Sequence, residues 1–140
     1  MAKQFTLGKN ERLRSRNLIE QLFKQGKSLD VFPYKVYYLL KEKTINIESS
    51  ILNVQFGVGV STKNFKKAVD RNRIKRVTRE AYRLQKLLLH QITKEKRFQL
   101  SVFFIYTAKE LSDYNQVKEK VNLILEKIIK LIDENNTPPS

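Results

Sequence analysis

The chain contains no cysteine and no tryptophan, and only one histidine, four glycines and three prolines in 140 residues. Without cysteine there is no disulfide framework, no thiolate zinc site and no thiol nucleophile, and a reducing, cytoplasmic setting is the default. A single histidine, His90, rules out a two-histidine metal site, and a surface or helix-end role suits it better than catalysis. No apolar run approaches the ~18 residues that a membrane-spanning helix needs. Met1 is not followed by a cationic stretch and an apolar stretch, so no secretory signal is expected. Negative charge is scarce too: 14 Asp and Glu face 28 Lys and Arg, for a formal net charge of +14.

That excess is concentrated. Residues 63–86, KNFKKAVDRNRIKRVTREAYRLQK, hold ten Lys or Arg against Asp70 and Glu80, a net charge of +8. On a helix advancing ~100° per residue, Ile74, Val77, Ala81, Leu84 and Leu88 form one stripe. Asn72, Lys75, Arg76, Arg79, Arg83 and Lys86 form the opposite one. Like charges at i,i+4, such as Lys75/Arg79 and Arg79/Arg83, destabilise an isolated helix, and a merely solvated face would mix both signs. A cationic ridge on a packed helix therefore predicts a nucleic-acid partner. Glu80 is expected to pair with Arg76 or Arg83.

Around this helix the pattern predicts one α+β domain over residues 11–132, with a flexible arm at 1–10 and a disordered tail at 133–140. Ser15 is a cap for a first helix over 16–25, in which Leu18, Ile19, Leu22 and Phe23 recur at helical spacing. Gly26 follows as a positive-φ terminator. Pro33 leads into a strand, YKVYYLL. Residues 41–53 are a polar connection with room for one more strand. VQFGVGV is a strand with Val54, Phe56, Val58 and Val60 on one face and bare glycine on the other. Gly57 and Gly59 imply a close approach, by a binding partner or by a packed helix. The basic helix spans 67–90, FQLSVFFIY (98–106) is a strand, and Ser112 caps a last helix over 113–132. Strand, long helix and strand imply a crossover within one sheet.

No self-contained active site emerges. Asp70 and Glu80 lie about 15 Å apart along a helix, too far to share a metal. The Gly57–Gly59 pair lacks the third glycine of a dinucleotide loop. No catalytic residue and no metal ligand is assigned. The aromatics offer binding instead: if Val36 and Leu40 face the core, Tyr37 and Lys35 share the open sheet face near Phe23. That is either a stacking platform beside a cation, as single-stranded RNA requires, or a seal between the first helix and the sheet.

AVDRNRIKRVTREAYR (68–83) resembles the arginine-rich signature of the protein subunit of bacterial ribonuclease P: Ala-Val-x-Arg-Asn-Arg-(Ile/Val)-Lys-Arg, two residues, then Arg-(Glu/Gln)-Ala-(Phe/Tyr). RLRSRNLIEQLFKQGKS (12–28), FGVGVSTK (56–63) and KELSDYNQVKEKVNLIL (109–125) resemble other segments of that family in the same order. The resemblance implies an α-β-β-β-α-β-α fold, similar to the ribosomal protein S5 domain 2-like fold, with a left-handed β-α-β crossover. It implies a cytoplasmic ribonucleoprotein endonuclease whose catalyst is a partner RNA subunit working with Mg2+, and whose substrate is precursor tRNA, cleaved to release the 5′ leader. Neither a membrane nor DNA is an expected partner.

By position, Arg71, Asn72, Arg73, Lys75, Arg76 and Arg79 match the RNA-facing motif. Lys63 and Arg83 extend the same cationic surface. Ile19, Phe23, Lys35 and Tyr37 match the family's leader cleft. Two places depart from the family pattern: Ile19 stands where Phe is usual, and Lys66-Lys67 where Gly-Asn is common. The alternatives are a ribosomal or other structural RNA-binding protein, a DNA-binding regulator, and a stand-alone metal-dependent nuclease. The last would need a carboxylate cluster that the sequence does not assemble.

Overall fold

A computed structural model describes Leu13 and residues 16–42, 54–96 and 98–135. Its elements run α1 (Arg16–Gln25), β1 (Lys27–Val31), β2 (Tyr34–Glu42), β3 (Val54–Val60), α2 (Ala68–Gln85), α3 (Leu87–Glu95), β4 (Phe98–Tyr106) and α4 (Tyr114–Asn135). The strands form one mixed sheet in the order β1-β2-β4-β3. β1, β2 and β4 pair antiparallel, while β3 lies parallel to β4 and reaches it through the α2–α3 crossover.

Period-two alternation gives the sheet two unlike faces. Tyr34, Val36, Val54, Phe56, Val58, Leu100, Val102, Phe104 and Tyr106 point into the core, where α2, α3 and α4 cover them. From α4 come Val117, Val121, Ile124, Leu125, Ile128 and Ile132, one apolar stripe at helical spacing. The other face carries Lys35, Tyr37, Gln55, Gly57, Gly59, Ser101 and Phe103, and α1 lies across part of it through β2 and β4.

Several expectations are corrected. A strand not expected, β1, pairs as a hairpin with β2 just before Pro33, while the further strand expected within 41–53 falls on residues that, from 43 on, lie outside the described set. Gly26 does not take positive φ. It is glycine for lack of room, because a β-carbon there would overlap the carbonyl of Leu22 and stand 2.8 Å from that of Tyr38. Ser15 lies outside the described residues. Asp113, not Ser112, caps α4: its Oδ1 accepts from the Gln116 amide at 2.8 Å, while the Ser112 hydroxyl meets that of Tyr106. α4 runs to Asn135 rather than stopping at 132, and Asp133 pairs with Lys96 at 3.5 Å.

The basic helix is two helices meeting at Lys86, whose φ of −78° and ψ of −16° keep the chain right-handed through the break. Its buried stripe is Ile74, Thr78, Ala81 and Tyr82, while Leu84 and Leu88 are exposed. The core-facing direction is thus rotated roughly 60° from the one that the aliphatic pattern marks. Two polar-tipped residues cause the turn. Tyr82 stacks on Phe56 at 4.0 Å and 4°, and the Thr78 hydroxyl meets that of Tyr34 at 2.7 Å.

Candidate nucleic-acid interface

The rotation of α2 re-sorts its cations. Asn72, Arg73 and Arg76 point outward and are exposed. Lys75, Arg79 and Arg83 lie on the flanks, half-buried, and Lys86 is only 2% exposed. Lys86 therefore does not belong to the ridge. Arg83 engages Glu80, as the i,i+3 spacing allows. Arg71 turns back instead: its Nη1 donates to the carbonyls of Phe65 at 2.9 Å and Lys66 at 2.8 Å, clamping the loop that enters the helix. That loop, residues 61–67, carries exposed Lys63, Lys66 and Lys67 and no acid.

On the open sheet face the predicted cleft residues come together. The Phe23 ring lies 4.8 Å from that of Tyr37, and Lys35 Nζ sits 5.6 Å from the Tyr37 centroid. Ile19, on the same helix as Phe23, is half-buried, while Phe23 keeps 42% of its surface exposed. Phe23 thus seals the first helix onto the sheet, as one of the two readings expected, and still presents part of its ring to solvent.

A residue absent from the expected set completes the group. Phe103 lies 5.7 Å from Phe23 and is the register partner of both Tyr37 and Gly57. Its signal was present in the β4 alternation, where Gln99 and Ser101 mark the outward face that Phe103 shares. The close approach expected at the glycines comes from within the chain, from Phe103 at both and from the Leu13 carbonyl at Gly57. A β-carbon on Gly57 would come within 2.6 Å of the Phe103 ring, and one on Gly59 within 3.1 Å. The ring of a neighbouring strand fills the space that two missing side chains leave.

His90 shares a hydrogen bond with the Tyr82 hydroxyl at 3.1 Å, within α3 rather than at the end of a longer helix. Burial pushes the Tyr34 phenol well above its ordinary value. The bond to Thr78 pulls it down, and nearby Tyr106 adds to the rise. Among the described residues, no group of three or more His, Asp or Glu side chains comes together to hold a metal ion. No helix among them is long and apolar enough to cross a membrane.

A model of the ribonuclease P family matches residues 7–129. The chain belongs to the ribonuclease P protein family. It is 38% identical to the ribonuclease P protein component of Porphyromonas gingivalis, over 89% of this chain and 87% of that one. It is 34% identical to that of Chlorobium phaeobacteroides, over 88% of each. Among solved structures, the ribonuclease P protein of Thermotoga maritima superposes with a TM-score of 0.61 at 27% identity, over 84% of this chain and 96% of that one. The Staphylococcus aureus protein, at 22% identity and a TM-score of 0.58, shares the fold. The family's role is that of the protein subunit of a ribonucleoprotein endoribonuclease acting on precursor tRNA.

Proposed function

We propose that this chain binds the catalytic RNA of ribonuclease P along the outward face of α2 and takes the single-stranded 5′ leader of precursor tRNA in the cleft beneath α1. The observation that carries this reading is the ring group of Phe23, Tyr37 and Phe103 on an otherwise open sheet face, with Lys35 beside it. Unpaired bases stack on aromatic rings irrespective of sequence, and a flanking ammonium meets the backbone. A leader differs between precursors, so tolerance of sequence is what such a site needs. Arg73 and Arg76 offer planar, forked donors to phosphate, with Asn72 between them and Lys63, Lys75, Arg79 and Arg83 at the flanks.

The bond that breaks is the phosphodiester joining leader to mature 5′ end. The partner RNA performs that chemistry with Mg2+, and the polypeptide positions RNA against RNA. Among the described residues no three His, Asp or Glu side chains gather, and no protein side chain is assigned to Mg2+. The protein acts where precursor tRNA is made, in the cytoplasm. Adding it to its cognate catalytic RNA at low Mg2+ should restore cleavage of precursor tRNA. Tyr37→Ala should weaken holoenzyme binding of precursor tRNA more than of mature tRNA. Equal loss for both would remove the leader cleft and leave a general RNA-binding protein.

A further inference from the structure

We infer that Phe32, at the turn between β1 and β2, is a stacking residue for an unpaired RNA base. The inference rests on the RNA-binding reading above. β1 and β2 remain paired as far as Val31 and Tyr34, so Phe32 and Pro33 alone make the turn. Pro33 is buried, and its carbonyl accepts two hydrogen bonds from Thr107, one from the backbone amide at 2.8 Å and one from Oγ1 at 3.1 Å. The carbonyl of Thr107 accepts in turn from Asn64 Nδ2 at 3.3 Å. The hairpin turn, the end of β4 and the loop into α2 are thus tied together at one end of the sheet. From that tied turn Phe32 projects with 73% of its surface exposed.

A lone exposed apolar residue is ordinary. Phe32 differs in two respects. Its backbone is already immobilised, so meeting a base costs little ordering. The loop bonded to its turn carries Lys63, Lys66 and Lys67, all exposed, with no acid among residues 61–67, and leads into the face of Arg73 and Arg76. A strand whose phosphates neutralise those lysines runs past the same end of the sheet. There a base turned out of its stack meets a ring of matching flatness. The base comes either from the catalytic RNA or from the precursor tRNA, and the chemistry is the same for both.

The test uses the full-length protein with its cognate catalytic RNA, comparing wild type with Phe32→Ala, Phe32→Leu and Phe32→Tyr. Two quantities are measured: affinity for the catalytic RNA alone, and affinity of the holoenzyme for precursor tRNA. Phe32→Ala and Phe32→Leu should lose about 5- to 150-fold in one of the two, the range for one base–aromatic stack, while Phe32→Tyr stays near wild type. The arm that shows the loss identifies the RNA supplying the base. Wild-type affinity of Phe32→Ala in both arms overturns the inference. So does wild-type affinity of Phe32→Leu, because a greasy contact then suffices. Arg76→Ala in the same assay keeps the two readings apart. A wild type that binds neither RNA defeats the proposed function. Weakening by Arg76→Ala with none by Phe32→Ala defeats the stacking site alone.

Discussion

Phe103 occupies the room that a side chain at Gly57 would take. A β-carbon there would stand 2.6 Å from Cδ1 and 2.8 Å from Cε1 of the ring, and 3.0 Å from the carbonyl oxygen of Leu13. The two residues are register partners on adjacent parallel strands, so neither can slide away along its strand. One wall of the aromatic group therefore depends on a side chain being absent next door. Gly57→Ala should force the ring out of place and cost about 1–3 kcal/mol in urea unfolding. It should lower affinity for precursor tRNA more than for mature tRNA. Gly59→Ala, whose β-carbon would meet the same ring at 3.1 Å, should be milder in both. Unaltered stability and leader discrimination in Gly57→Ala would mean that the ring swings aside freely.

The buried hydroxyl pair of Tyr34 and Thr78 fastens the strand carrying Lys35 and Tyr37 to the helix carrying the arginines. Tyr34→Phe strands the Thr78 hydroxyl and should cost about 1–3 kcal/mol, and adding Thr78→Val should recover part of it. Tyr34 also sets a pH dependence. Its folded pKa lies above the ordinary value of 10.0, so the folded state holds the proton where the unfolded chain releases it. Stability from this group is fully present below pH 10 and declines as pH rises beyond it, by up to about 1.4 kcal/mol per unit. Between pH 10 and 11, wild type should lose stability faster than Tyr34→Phe in parallel urea titrations.

Neighbouring arginines of the ridge should separate by assay. Arg71 holds the carbonyls of Phe65 and Lys66, so Arg71→Ala should lower unfolding stability by about 1–3 kcal/mol as well as RNA affinity. Arg73→Ala and Arg76→Ala, at exposed positions, should leave urea midpoints within about 0.5 kcal/mol of wild type and weaken only assembly with the catalytic RNA. Identical unfolding curves for all three would dismiss the clamp.

Lys86 follows the ridge in sequence but is buried at the break between α2 and α3. Lys86→Met should leave the salt dependence of RNA binding as in wild type. Arg76→Ala should reduce that slope by about one ion. A shallower slope in Lys86→Met would show that Lys86 reaches solvent and phosphate in the complex.

Much of this was legible without coordinates because short-range periodicity encodes it. The bounds of α1 and β4 followed from period and punctuation, and Lys35 and Tyr37 shared a face by alternation alone. What escaped was long-range. The helical wheel of α2 is marked by its aliphatic residues. Thr78 and Tyr82 are drawn into the core by Tyr34 and Phe56, residues 44 and 26 positions earlier in the chain, and no local pattern announces such partners. The same holds for Arg71, whose charge reads like that of its neighbours until the fold brings the loop carbonyls beneath it.

The amino-acid order by itself determined that a strongly cationic helix and a Lys35–Tyr37 pair on one strand face belong to one α+β chain, since composition and spacing are properties of neighbours. Only the tertiary structure decided which cations look outward, that Phe103 closes the ring group over two glycines, and that Phe32 stands on a pinned turn. Those are outcomes of packing between segments far apart in the chain, where shape and hydrogen-bond partners outweigh local hydrophobic pattern.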